Sequence, residues 1–211
     1  VGAVCAAVDA VMAGAPNAFC AVRPPGHHAE ARRPMGFCLF NNVVVAARHA
    51  RERHGLRRIA VVDFDVHHGN GTQHMFEDDP ELLYASTHQM PLYPGTGRPD
   101  ERGVGNIFNV PLAPGSGSTE FRQGVSQTIL PALDAFRPEL IIVSAGFDAH
   151  AADPLAQLRL GEADYAWVTA ELMEVARRHC AGRMVCALEG GYDLRALAAS
   201  VAAHLRTLMT A

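Results

Sequence analysis

Short apolar runs rich in Val, Ile and Leu recur along the chain at 18–22, 59–64, 82–87, 107–110, 140–144 and 184–188. Several are continuous rather than alternating, the pattern of a strand covered on both faces. Between them, the segments 2–12, 41–54, 69–76, 119–136, 162–180 and 193–210 carry apolar residues at helical spacing. Strand and helix therefore alternate. This predicts βαβ units, a mainly parallel sheet and a three-layer α/β/α sandwich. Loops rich in Pro and Gly at 23–36, 91–99, 111–117 and 190–191 are too scattered to be domain linkers and read as walls of one site.

Composition narrows the picture without changing it. The 211 residues, 49% hydrophobic and 19% charged, suit one globular domain over 1–211 with a substantial core. A formal net charge of -4 supplies no basic field for nucleic acid. The run 48–58 holds five arginines and two histidines, which reads as the solvated end of a helix. No apolar stretch reaches the roughly 20 residues that span a bilayer, and no signal-peptide pattern occurs, so a soluble, cytoplasmic protein is expected. Cys5, Cys20, Cys38, Cys180 and Cys186 include no CxxC pair, which argues against a disulfide framework and against a sulfur-ligated zinc site. The chain opens on Val1 with a helical pattern under way by Val4; the expectation is a domain lacking its amino-terminal part.

Candidate chemistry gathers at predicted strand ends. The run Asp63-Phe64-Asp65-Val66-His67-His68-Gly69-Asn70-Gly71 directly follows a buried strand, where open α/β sheets form their ligand crevice. Asp65 and His67, two apart, share a side of extended backbone, with Asp63 deeper on that side. They suit metal ligation, with structural hydrogen bonding as the plainer reading. Asp148 follows the apolar run 140–143 and is either a third ligand or a helix N-cap. Two carboxylates and one imidazole would leave a fourth position on Zn²⁺ for water, as in catalytic zinc sites. His27 and His28, held after Pro24 and Pro25, suit proton transfer near neutral pH, or a structural role. Asp63 and Asn70 are available to fix their tautomers. Tyr192, after Gly190 and Gly191, is a potential donor to an oxyanion or an ordinary loop residue.

Six collinear motifs span nearly the whole chain: RPPGHHAE at 23–30, GFCLFNN at 36–42, DFDVHHGNG at 63–71, STHQMPLYPGTG at 86–97, SAGFDAH at 144–150 and LEGGYDL at 188–194. Together they resemble the zinc-dependent histone deacetylase family, which includes bacterial histone deacetylase-like amidohydrolases and acetylpolyamine amidohydrolases. The resemblance implies the arginase/deacetylase fold and one Zn²⁺ per chain on Asp65, His67 and Asp148. It gives His28 the role of general base and acid, His27 an electrostatic role and Tyr192 that of oxyanion donor. Asp63 would partner His27, and Asn70 would partner His28 with an amide, as in the class II-like branch. Gly36, Phe37, Tyr93, Gly190 and Gly191 would contact substrate, Phe37 and Tyr93 forming opposite walls of an acyl-lysine tunnel.

The resemblance further implies K⁺ near Asp63, Asp65, His67, Ser86 and Thr87, with a second site round Phe76, Asp79, Leu82 and Asn106. The implied reaction removes acetyl or other short acyl groups from an acetylated lysine protein or an acetylpolyamine. No direct nucleic-acid or membrane partner is expected, and relatives include monomers and homo-oligomers. Two rival readings remain. A scaffold that binds acyl groups without turnover is disfavoured by the presence of Tyr192. A binuclear manganese hydrolase resembling arginase needs carboxylates where this chain has Gly69 and His150. His68 has no assigned role.

Overall fold

The central strands show why a continuous apolar run needs two covers. In β2 (Ile59–Asp63), Ala60 and Val62 enter one core while Ile59 and Val61 enter another, because successive side chains leave opposite faces of a sheet. The computed structural model describes residues 1–210. Its sheet has six strands in the order β1 (Asn17–Cys20), β6 (Met184–Leu188), β5 (Leu140–Ala145), β2, β3 (Leu82–Gln89) and β4 (Ile107–Leu112). Every pairing is parallel. The helices α1 (Gly2–Met12), α2 (Asn42–His54) and α3 (Asn70–Phe76) cover one face. The other face carries α4 (Ser118–Gly124), α5 (Leu130–Phe136), α6 (Glu162–His179) and α7 (Leu194–Leu208). The three-layer α/β/α sandwich is as expected, and all six predicted strands are present. Among the described residues, no helix is long and apolar enough to cross a membrane.

Most boundaries shift by one or two residues, and two of the departures have reasons in backbone chemistry. The predicted helix over 119–136 is broken into α4, a π-helical turn at Val125–Ile129, and α5. Pro131 stands in the first turn of α5, where it has no N–H to give the preceding turn and crowds its carbonyls, so the ladder widens. β4 also runs on through Pro111 and Leu112, into the predicted loop 111–117. Proline is tolerated there because β4 is the outermost strand and has no partner on its far side.

Helix ends fix the loops that bear the site. The Asn41 side chain caps α2 by accepting from Val44 N at 3.1 Å; its Nδ2 donates to Thr72 Oγ1 at 3.1 Å and to Ala29 O at 3.3 Å. One cap thereby ties α2 to α3 and to the loop after β1. Chain order reverses between β2 and β5: β3 and β4 follow β2 on one side, β5 and β6 on the other. Asp63 is level with Ser144 on β5 and Ser86 on β3, so the segments after β2 and β5 open into the same crevice.

Candidate active site

Asp65, His67 and Asp148 meet in that crevice. Their ligand atoms all lie within 4.8 Å of one another, and His67 Nδ1 is 3.1 Å from both Asp65 Oδ1 and Asp148 Oδ2. Backbone donors set the carboxylates. Asp65 Oδ2 accepts from Gly190 N at 2.8 Å, and Asp148 Oδ1 accepts from Val66 N at 2.8 Å. Both aspartates are buried. Burial and the neighbouring charge of Asp65 push Asp148 up to about 7, whereas His27 and His67 hold Asp65 well below the ordinary carboxylate range despite its burial. Burial opposes charge on His67, but hydrogen bonds to Asp148 and Asp65 prevail and raise it to about 10.

This set fits a divalent ion by its own chemistry. Two carboxylate oxygens and one imidazole nitrogen are a zinc-type donor set. Space is kept for one as well. A Cβ on Gly190 would fall 2.1 Å from Asp148 Oδ2 and 2.6 Å from Asp65 Oδ2, so only glycine lets the backbone donate to the cluster. A second metal lacks both ligand and room at position 69, where a Cβ would meet Asp63 Oδ2 at 2.4 Å.

The two loop histidines stand beside this cluster with separate partners. His27 Nδ1 donates to Asp63 Oδ2 at 2.9 Å, and its Nε2 is 3.8 Å from Asp65 Oδ1. Burial opposes charge on His27, but Asp63, Asp65 and Glu189 outweigh it and raise the ring well above the ordinary imidazole range. His28 Nδ1 lies 2.9 Å from Asn70 Oδ1. Burial and the charge on His27 bring His28 down to about 3, and the two ring centres are 4.0 Å apart. Gly36 closes over His28: a Cβ there would meet its Cδ2 at 2.3 Å.

A cavity of about 320 Å³ opens above these groups, lined by His28, Asp65, His67, Gly36, Gly190 and Tyr192 among others. Its mouth is aromatic. Phe37 is 74% exposed and Tyr93 47%, and both line the cavity. The Phe37 ring lies 6.3 Å from that of Tyr192, and the Tyr93 ring lies 5.1 Å from that of His28. Tyr192 is positioned by its backbone N–H, which donates to Asp153 Oδ2 at 2.8 Å. Burial, then the charges of Asp65 and Asp148, raise its phenol above the ordinary range. Of the expected substrate contacts, Gly36, Phe37, Tyr93 and Gly190 line the cavity, whereas Gly191 is buried and is not part of its lining.

Four contributors escaped sequence reasoning. Glu189 accepts from Gly26 N at 2.6 Å, from His27 N at 3.2 Å and from Ser144 Oγ at 3.0 Å, anchoring the histidine loop to β5 and β6. Tyr84 donates to Asp63 Oδ2 at 3.0 Å and accepts from Gly69 N at 2.9 Å. Asp153 holds Tyr192, and Leu155 adds apolar wall. Glu189 sits inside the motif LEGGYDL, the one available signal; the others are single residues in ordinary strand or loop positions. His68, left without a role, is a loop anchor. Its Nδ1 lies 2.7 Å from Thr96 Oγ1 and its Nε2 2.9 Å from Gln73 Oε1.

The potassium expectations divide. Asp63 is level with Ser86 of β3, Thr87 follows Ser86, and Asp65 and His67 lie in the segment after β2. At the second set, the carbonyls of Phe76, Asp79 and Leu82 converge on Asn106 Nδ2 at 2.8, 2.9 and 2.7 Å. An amide nitrogen thus stands at the focus of these carbonyls, and the residues as placed do not fit an ion there.

A family profile described as histone deacetylase domain matches residues 1–208. Histone deacetylase 14, chloroplastic, of Arabidopsis thaliana is 46% identical over 218 residues, covering 99% of this chain and 52% of that protein. The histone deacetylase-like amidohydrolase of Pseudomonas aeruginosa is 47% identical over 198 residues, covering 91% and 52%. A crystal structure of the HDA15 HD domain superposes with a TM-score of 0.93 at 41% identity, covering 98% of this chain and 59% of that one. The chain spans about half the length of these relatives. Six ordered motifs, a crevice at the switch of a parallel sheet and agreement over 1–208 converge on one statement: the chain belongs to the histone deacetylase family.

Proposed function

We propose that this chain carries the catalytic site of a zinc-dependent amidohydrolase that removes acetyl or other short acyl groups from acylated lysine or a related alkylamine. One observation carries the proposal: Asp65, His67, His27, His28 and Tyr192 line a single cavity with Asp148 directly behind them. Held by Asp65, His67 and Asp148, zinc would supply Lewis acidity to the amide carbonyl and to an attacking water.

The side chains supply the proton traffic. Asn70 Nδ2 donates to Glu30 Oε1 at 2.9 Å, which turns its Oδ1 toward His28. His28 Nδ1 must then carry the proton, leaving the Nε2 lone pair free to accept one from water. The same nitrogen returns that proton to the departing amine. His27, bonded to Asp63, is a fixed positive neighbour that keeps resting His28 neutral. Tyr192 stays protonated because its phenol is raised, so it can donate to the oxygen that gains charge as the carbonyl is attacked. Phe37 and Tyr93 offer apolar surface to a slender alkyl stem, a feature shared by acyl-lysine and acylpolyamines. K⁺ remains part of the proposal only at the set Asp63, Asp65, His67, Ser86 and Thr87.

Among the relatives, one from Homo sapiens, 44% identical, is named polyamine deacetylase HDAC10; others are named histone deacetylases. The deciding experiment is a turnover comparison using acetyl-lysine peptides, acetylated polyamines and longer acyl-lysines. Cleavage of at least one class is expected, and inertness of the zinc-loaded protein toward all three would overturn the proposal.

A further inference from the structure

A second group of ligand-type side chains lies on the helical face away from the crevice. Asp9 of α1 and His49 and His54 of α2 bring their ligand atoms within 4.8 Å of one another. Both imidazoles address the same atom: His49 Nε2 is 2.8 Å and His54 Nε2 2.6 Å from Asp9 Oδ1. Their ring centres are 5.9 Å apart. α1 and α2 finish where the strands begin, at the edge of the sheet opposite the carboxyl-end crevice, so this group shares no residue with the active site.

We propose that Asp9, His49 and His54 bind one divalent transition-metal ion, with zinc as the test case. Two imidazoles and a carboxylate are donors of the class that zinc, nickel and copper select, and three protein ligands leave a position for water. The frame is rigid. Ala7, Val8 and Val11 of α1 pack in the same buried cluster as Ala46, Ala47 and Ala50 of α2, fixing the two ligand-bearing helices against each other.

Ligand bonds of about 2.0–2.2 Å at tetrahedral angles place donor atoms roughly 3.3–3.5 Å apart, so the rings need to withdraw by less than about 1 Å. Coordination through Nε2 leaves the ring proton on Nδ1 of each histidine. Part of the surrounding basic run is neutralised locally, Arg51 being paired with Asp79 and Glu81, Arg57 with Glu81 and Arg58 with Glu139.

Zinc bound per chain is counted by calorimetric titration and elemental analysis of the folded protein. Wild type is expected to hold one zinc more than the His49→Ala/His54→Ala double variant, the two having matching circular dichroism. Asp148→Ala is expected to keep that additional zinc, which separates this site from the crevice. Equal zinc in wild type and double variant would overturn the proposal. Should the double variant fail to fold, Asp9→Asn is the second test. Because changes outside the ligand shell already cost about 10- to 100-fold in affinity, loss of the anionic ligand should weaken the site by at least about tenfold. Unchanged zinc affinity in folded Asp9→Asn contradicts the proposal.

Discussion

Asn70 decides which nitrogen of His28 is free, and it does so because Glu30 fixes the orientation of its amide. In the proposed mechanism Tyr192 is the complementary acid, and its removal would separate chemistry from metal binding. Tyr192→Phe should fold normally and retain its zinc while turnover falls by about 10²- to 10³-fold, the usual cost of one oxyanion donor. Steady-state kinetics beside metal analysis check this; wild-type turnover would remove Tyr192 from the mechanism. Gly190 makes the opposite separation. In Gly190→Ala the new methyl would crowd Asp148 and Asp65, so zinc content should fall sharply along with activity. Full zinc occupancy in that variant would show that the cluster is looser than its geometry indicates.

At the scale of elements, the loop carrying Tyr93 is held from behind by two histidines. His68 bridges Thr96 and Gln73, and His88 donates from Nε2 to Gly97 O at 2.8 Å. Burial brings His68 down to about 2 and His88 to about 4, so both act as neutral hydrogen-bonding struts. His68→Ala should quicken amide hydrogen exchange across 91–97 and raise KM more than it lowers kcat, since Tyr93 loses support. Unchanged exchange there would refute the strut role. Strands and helices were legible because each buried face repeats with period 2 or 3.6 over several residues. The π-helical turn was not, because one proline shifts a hydrogen-bond ladder without disturbing the apolar spacing around it. Pro111 misled in the other direction: only the sheet order shows that β4 has a free edge.

For the whole molecule, the reversal of chain order between β2 and β5 gathers loops from distant parts of the sequence over one crevice. The convergence of Asp65, His67, Asp148, His27 and His28 on one crevice was legible because each sits in a compact motif after a strand. Glu189, Tyr84 and Asp153 were obscure because their partners are 15 or more residues away, as in the 163-residue separation of Gly26 and Glu189. The group formed by Asp9, His49 and His54 was equally hidden. Its histidines are five apart rather than at the spacings that mark one helical face, and Asp9 is 40 residues from His49.

The central claim is that zinc on Asp65, His67 and Asp148 makes this crevice an amide-hydrolysing site. Acetate release from an acetyl-lysine peptide and an acetylpolyamine, measured before and after stripping the metal and again after restoring zinc, tests it most directly. Turnover should vanish on stripping and return with zinc in wild type, and should not return in Asp148→Ala. Turnover that survives stripping, or zinc-loaded wild type that cleaves neither substrate, would contradict the account.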